Sequence, residues 1–293
     1  MEYRKKIKGK VLFGEPLKEH TSFKVGGPAR LFFLPKDASD LGRLLVLLKK
    51  EKVPFLVLGA GSNILAKDGT IKKAILCLDS PGFKNFAFTE KLLRAQAGVR
   101  LNSLVAESVK RGLSGLEGLA GIPGSLGGAI AMNAGAWGSS IADSVEKIKV
   151  MDYNGRVKII DKKQAGFSYR RSNLSKSIIL EAVFRLKKTG RPAARDSLKQ
   201  YLALRRATQD ARYPSAGCVF KNPGRESAGR LIDLCGLKGK GRGGAVISLR
   251  HANFILNKDR AKAADVLYLM RLAKSAVKRK FGITLEPEIK IWS

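Results

Sequence analysis

The sequence predicts a mixed α+β protein of more than one compact unit, and three observations carry that expectation. Amphipathic stretches alternate with short apolar runs bounded by turn residues, the pattern of helices interleaved with buried strands. The chain has 293 residues, 44% of them hydrophobic, which exceeds a single common domain and suffices for a sizeable core. Finally, Thr189-Gly190-Arg191-Pro192 is a polar, turn-prone break, after which a helical pattern resumes.

Taken in order, residues 38–53 place Leu41, Leu44, Leu45, Leu47 and Leu48 on one side of an expected helix. Residues 54–58 read as a buried strand running directly into Gly59-Ala60-Gly61-Ser62-Asn63. Short strands are expected at 74–78, 92–97 and 145–151, with a helix at 101–111. Asp152-Tyr153-Asn154-Gly155 has the turn chemistry of a hairpin leading into 156–160, and 178–186 reads as a long strand. Beyond the break, helices are expected at 194–208 and 258–281, the second stopping at Gly282, with a closing strand over 283–292. A smaller unit is therefore expected after the break, over 191–282, with a strand at 283–293 that could return to the earlier region.

Lys and Arg total 56 against 24 Asp and Glu, a net charge of +32 that suits nucleic acid, an anionic membrane or phosphorylated small molecules. The basic residues are scattered, with local densities at 5–10, 238–242 and 274–280, and do not alternate with aromatic residues as a stacking surface would. They read as a solvated face, and no nucleic-acid partner is expected. No stretch approaches the roughly 20 apolar residues of a membrane span, and no apolar segment follows the charged start, so a soluble, cytoplasmic protein is expected. Cys77, Cys218 and Cys235 are odd in number and widely spaced, which predicts neither a disulfide framework nor a metal cluster. With two histidines in the chain, a metal site or a histidine-based triad is not expected, and His251 reads as structural.

Two glycine-rich stretches carry the chemistry. Gly59 to Asn63 would let backbone amides approach a phosphate, with Ser62 and Asn63 adding side-chain donors; the alternative is an ordinary tight turn. It is not the dinucleotide fingerprint, which needs a third glycine and a helix opening there. The run from Gly115 to Ala129 can wrap an extended ligand. As a flexible linker it would expose Leu116, Leu119, Ile122, Leu126 and Ile130.

Thr21-Ser22-Phe23-Lys24-Val25-Gly26-Gly27-Pro28-Ala29, the stretch 58–65 and the stretch 118–136 resemble, in order and spacing, the FAD-binding segments of the UDP-N-acetylenolpyruvoylglucosamine reductase family. The last two also resemble the wider FAD domain shared with certain oxidases. The resemblance implies a two-part FAD-binding unit over 1–78 and 79–190, followed by a smaller α+β substrate-binding domain. It implies cofactor contacts from Leu58, Gly59, Ala60, Gly61, Ser62 and Asn63, and from Gly121, Ile122, Pro123, Gly124, Ser125, Gly128 and Ala129.

Tyr213-Pro214-Ser215-Ala216-Gly217-Cys218-Val219-Phe220-Lys221-Asn222-Pro223 resembles the family's proton-donor motif, with Cys218 where serine is usual. A thiol, with a reference pKa near 8.5, is a stronger acid than an alcohol and preserves that role. Arg170, in Gly166-Phe167-Ser168-Tyr169-Arg170, matches the arginine that stabilises the intermediate, and Glu288 matches a late glutamate that assists protonation, with Glu286 its rival. Tyr169, Arg205, Gln209 and Asn222 are expected on the substrate. Without the resemblance Arg170 reads as a surface arginine and Cys218, like Cys77 and Cys235, as a small buried hydrophobe.

The activity so implied is NADPH-dependent, FAD-mediated reduction of UDP-N-acetylglucosamine enolpyruvate to UDP-N-acetylmuramate, in a shorter family type lacking an extra substrate-domain loop. No membrane and no obligate protein partner is implied. Another FAD-dependent oxidoreductase on the same domain, and a basic nucleic-acid-binding protein, are the alternatives.

Overall fold

The computed structural model describes residues 3–210 and 212–293. The chain forms two compact units, one made of 1–13, 31–60 and 73–205, the other of 14–30, 61–72 and 206–293. Each has its own apolar core.

In the first unit, Phe55–Leu58 pairs in parallel with Ala74–Cys77, which pairs in parallel with Pro28–Leu34 on its other side. The helix Ala38–Lys50 buries Leu41, Leu44, Leu45 and Leu48, the i, i+3, i+4, i+7 stripe of an amphipathic helix. Asp37 caps its start by accepting from the Asp40 amide. The helix stops short of residue 53 because Lys52 turns left-handed (φ 53°) and the Val53 amide reaches back to Leu48 O at 2.9 Å. A five-stranded antiparallel sheet follows, in the order Val157–Asp161, Val145–Asp152, Ser177–Arg185, Leu92–Gln96, Phe86–Thr89. Its first hairpin closes as expected, with Asp152 Oδ1 accepting from the amides of Asn154 and Arg156.

The stretch 115–131 is not a linker. It contains a 3₁₀ turn at Glu117–Leu119 and a short helix at Leu126–Ala131, and Leu116, Leu119, Leu126 and Ile130 are buried in the first core.

In the second unit, an antiparallel sheet of Gly241–Arg242, Ala245–Ile247 and Ile255–Asn257 packs with the helices Ala228–Leu234 and Ala263–Phe281. The long helix begins later than residue 258. Asn257 Oδ1 takes the Ala261 amide at 2.9 Å, Arg260 is left-handed, and the Asp68 carboxylate accepts from the amides of Ala263 and Ala264 at 2.7 and 3.0 Å. An anionic cap on orphan amides also complements the helix dipole, so the first turn forms there. The helix ends at Gly282 in the left-handed conformation, as expected.

The closing segment is not one strand. Residues 286–288 run antiparallel to 219–221, and only Lys290–Trp292 forms a regular strand, parallel to Ile64–Ala66. Pro287 lacks the amide needed to continue a ladder, so the segment changes partner there. Among the described residues no helix is long and apolar enough to cross a membrane.

Candidate functional site

In the first unit, the end of Phe55–Leu58 meets the glycine run. A methyl added at Gly59 would stand 2.3 Å from Ser125 Oγ and 3.8 Å from the Gly128 nitrogen, so a larger residue there would displace the Ser125 hydroxyl. Ser125 Oγ is buried and has no hydrogen-bond partner among the described residues. An orphaned buried hydroxyl costs about 1–3 kcal/mol, and a phosphate oxygen would satisfy it. Among the described residues nothing accepts from the amides of Gly124 and Ser125, whereas Gly121 N–H is bound to Asn102 Oδ1 at 2.9 Å and Ile122 N–H to Leu119 O at 3.1 Å. Close backbone approach, an unsatisfied hydroxyl and open amides are what the diphosphate of FAD needs, and these residues fit it. Leu58 and Ala129 are buried beneath the cradle.

No helix opens after Gly59 to Asn63; the chain turns into the strand Ile64–Ala66. Gly61 is left-handed (φ 66°), and a methyl on it would stand 2.0 Å from His20 O. Within the second unit Asn63 is held at both ends, its Nδ2 donating to Glu288 O at 3.2 Å and its carbonyl accepting from Lys290 N–H at 2.9 Å.

Arg170, also in the first unit, sits at the tip of a tight turn closed by Ser168 and Arg171, whose amides and carbonyls bond at 2.9 and 3.1 Å. Its φ of 55° is uncommon for a side-chain-bearing residue and marks strain held by the surroundings. The guanidinium carbon lies 5.1 Å from the Tyr169 ring centroid, and Tyr169 itself is exposed. The turn is tied down on both sides. Asn133 Nδ2 donates to Ser168 O and Ser172 Oγ donates to Ala131 O, each at 2.9 Å. Asn133 and Ala131 lie at the far end of the short helix that Ser125 begins, so one small element joins the Ser125 segment to the Arg170 turn.

Arg205 lies against the glycine run. Its Nε donates to Ala120 O at 2.9 Å, its Cδ would be 2.6 Å from a methyl on Gly121, and its guanidinium stacks 4.9 Å from the Trp137 ring. Neither Asn133 nor Trp137 was singled out from the sequence. Only the structure marks them, through left-handed backbones (φ 43° and 48°) that asparagine tolerates and tryptophan rarely adopts.

In the second unit, Cys218 is half-buried between left-handed Gly217 and buried Val219. Its segment is sandwiched. On one side Cys218 bridges Phe254; on the other Phe220 bridges Pro287, with Glu288 N–H donating to Val219 O and Lys221 N–H to Glu286 O, both at 2.9 Å. The two glutamates thereby separate. Glu286 is 70% exposed and ion-paired with Lys221 Nζ at 2.6 Å, which holds its carboxyl below the usual range. Glu288 is half-buried beside the Cys218 segment.

Asn222 Oδ1 accepts from the Ala228 amide at 3.0 Å, bracing the start of the helix there. The Gln209 carbonyl accepts from Arg250 Nη1 at 3.3 Å. Burial depresses the pKa of His251, and its Nδ1 accepts from the Asn253 amide at 3.2 Å, which fixes the neutral tautomer protonated on Nε2. Burial pushes the Cys77 thiol up to about 12, and Cys235 packs half-buried on the second core, so both behave as small apolar residues.

Comparison with known proteins places the chain in a family. The FAD binding domain family matches residues 29–161, and the UDP-N-acetylenolpyruvoylglucosamine reductase C-terminal domain family matches residues 209–292. UDP-N-acetylenolpyruvoylglucosamine reductase 2 of Symbiobacterium thermophilum is 41% identical, over 97% of this chain and 92% of its own. The reductase of Pelobacter propionicus is 40% identical, over 97% of this chain and 96% of its own. The crystal structure of the Thermus caldophilus reductase superposes with a TM-score of 0.84 at 35% identity, over 98% of this chain and all of that one. A solvent-stable cholesterol oxidase, 16% identical with a TM-score of 0.50 over 62% of this chain and 38% of its own, shares the fold alone. The chain belongs to the UDP-N-acetylenolpyruvoylglucosamine reductase family and is an FAD-dependent oxidoreductase.

Proposed function

We propose that this chain reduces UDP-N-acetylglucosamine enolpyruvate to UDP-N-acetylmuramate in the cytoplasm, with NADPH as hydride donor, as a step of peptidoglycan precursor synthesis. Gly59 to Asn63 together with Gly124 and Ser125 would hold the FAD diphosphate, with Gly121, Ile122 and Pro123 shaping the cradle. Bound FAD supplies the two-electron transfer from NADPH to the enolpyruvyl double bond.

Hydride addition at the terminal carbon leaves negative charge on the carbon bearing the carboxylate, delocalised as an enolate. Arg170 offers a forked cation to that carboxylate from the tip of its tight turn. Cys218 Sγ–H gives its proton to the same carbon, breaking S–H and forming C–H, and Glu288 supports recharging of the thiol. Tyr169, Arg205, Gln209 and Asn222 take the rest of the nucleotide sugar. The observation that most supports this reading is the backbone pairing of 219–221 with 286–288, which sets Glu288 across from Val219, the residue after Cys218.

Rapid-mixing measurements on the two half-reactions test it. Cys218→Ala should leave bound flavin reducible by NADPH within about threefold of the parent rate, while reoxidation by the enolpyruvyl nucleotide sugar slows by about 10²-fold or more. Cys218→Ser should keep substantial turnover. Equal loss of both half-reactions in the alanine variant, or a folded but inactive serine variant, refutes proton donation by Cys218.

A further inference from the structure

The Cys218 segment has a backbone demand that no strand meets. Phe220 follows Cys218 by two residues, and its N–H and C=O both point at the turn 251–254, which is itself closed by Phe254 N–H to His251 O at 2.9 Å. A backbone bent that tightly cannot offer Phe220 a ladder partner, yet Phe220 is buried and its polar atoms require one.

Asn253 supplies it with a side chain. Only 1% exposed, it accepts from Phe220 N–H at Oδ1 (3.0 Å) and donates from Nδ2 to Phe220 O (2.8 Å). The carboxamide thus stands in for a missing peptide unit. Its own carbonyl accepts from Val219 N–H at 2.9 Å, and its own amide donates to His251 Nδ1 at 3.2 Å. Three of these bonds land on the two residues that follow Cys218. The opposite edge of the segment is the one taken by Glu288 and Glu286. Removing the carboxamide would leave Val219 N–H as the one remaining hydrogen bond on this edge and both polar atoms of buried Phe220 without their partner, so the segment could roll against the other edge.

We propose that Asn253 is a positioning residue for proton delivery, holding Cys218 in register with Glu288. This rests on the reading of Cys218 and Glu288 as the protonating pair. Asn253 touches neither reacting atoms nor cofactor in this role; it acts through the backbone of Val219 and Phe220.

The holoenzyme carrying Asn253→Asp or Asn253→Ser tests the proposal. An ionised aspartate can accept from Phe220 N–H but sets an oxygen against Phe220 O; a protonated one restores the donor. At pH 8 the aspartate variant should show flavin reoxidation by the enolpyruvyl nucleotide sugar slowed about 30-fold, with NADPH reduction of the flavin within about threefold of the parent. Lowering the pH to 6 should recover reoxidation at least about fivefold relative to the parent at the same pH, and the serine variant should show no such recovery. Normalisation to the parent is essential because His251, Cys218, Lys221, Glu286 and Glu288 titrate or carry charge on the segments around Asn253, as do Arg250 on its own turn and Arg230 and Asp233 on the helix whose Gly229 packs against it.

A second readout does not depend on the flavin. Iodoacetamide labelling of Cys218, followed by mass spectrometry, should change rate at least about threefold in either variant. In the unaltered holoenzyme, the Phe220 amide should exchange with deuterium as slowly as core strand amides. Equal slowing of both half-reactions, unchanged reoxidation, identical pH profiles for the two variants, an unchanged labelling rate or a fast-exchanging Phe220 amide would each overturn the proposal. The underlying reading fails separately: intact reoxidation in Cys218→Ala removes the proton donor itself, whereas slow reoxidation in Cys218→Ala with normal reoxidation in the Asn253 variants removes only the positioning role.

Discussion

The backbone N–H of Glu288 donates to the carbonyl oxygen of Val219 at 2.9 Å, which sets this glutamate across from the residue next to Cys218. Two positions earlier, Glu286 commits its carboxylate to Lys221 at the surface. Two glutamates in Leu285-Glu286-Pro287-Glu288 thereby acquire different surroundings: the exposed one is held ionised by the Lys221 ammonium, and the other is half-buried beside the Cys218 segment.

The pair can be told apart by exchanging each carboxylate for an amide. Glu288→Gln should slow flavin reoxidation by the enolpyruvyl nucleotide sugar by about 10²-fold while NADPH reduces the flavin normally. Glu286→Gln loses only an exposed ion pair, so both half-reactions should stay within about threefold of the parent. The reverse order of effects would transfer the acid–base role to Glu286.

Ser125 predicts a change whose sign depends on the cofactor. Its hydroxyl is buried and unsatisfied in the protein alone, so Ser125→Ala should leave the flavin-free protein equally or more stable, by up to about 1 kcal/mol in urea unfolding. The same substitution removes a donor from the phosphate cradle and should weaken FAD binding about tenfold, read by fluorescence on flavin release. Lower stability without flavin, together with unchanged flavin affinity, would mean that the hydroxyl serves the fold instead.

Much of this architecture was legible from local pattern. Leu41, Leu44, Leu45 and Leu48 announce a helix by spacing, Asp152 to Gly155 announce a turn by residue type, and the apolar residues within the glycine run announce packing. Long-range pairing was not legible. The strand expected over 283–292 divides because Pro287 has no amide to offer and the flanking residues pair with two different segments, 219–221 and 64–66. Helix Ala263–Phe281 starts late because Asp68, 195 residues away, caps it. Asn253 was invisible for the same reason, since nothing near it in the chain tells that Phe220 lacks a backbone partner. Resemblance pointed to Cys218, Arg170 and Glu288 without indicating what braces their segments; the Arg170 turn is tied to Asn133 and Ala131, and Phe220 beside Cys218 to Asn253.

Asp40 ties acid stability of the first unit to one fully buried carboxylate. Its Oδ1 accepts from Lys8 N–H and Arg43 Nη2 at 2.8 and 2.9 Å, and its Oδ2 from Gly9 N–H and Lys36 N–H at 2.8 and 2.9 Å. Burial alone would raise its pKa, but the amides of Lys36, Lys8 and Gly9 with the Arg43 guanidinium together lower it below the ordinary carboxylate value. The folded state therefore binds this proton less readily than the unfolded chain, whose value is about 3.9. The stabilisation is complete well above that value and drains away as pH falls through it toward the folded pKa. Asp40→Asn keeps one acceptor oxygen but turns an NH₂ group toward two N–H donors. At pH 7 it should cost about 2–4 kcal/mol in urea unfolding followed by circular dichroism. Between about pH 5 and pH 3 the gap should narrow, because only the parent loses the carboxylate's contribution. A gap that stays constant over that range would mean that shape, and not charge, is what Asp40 supplies.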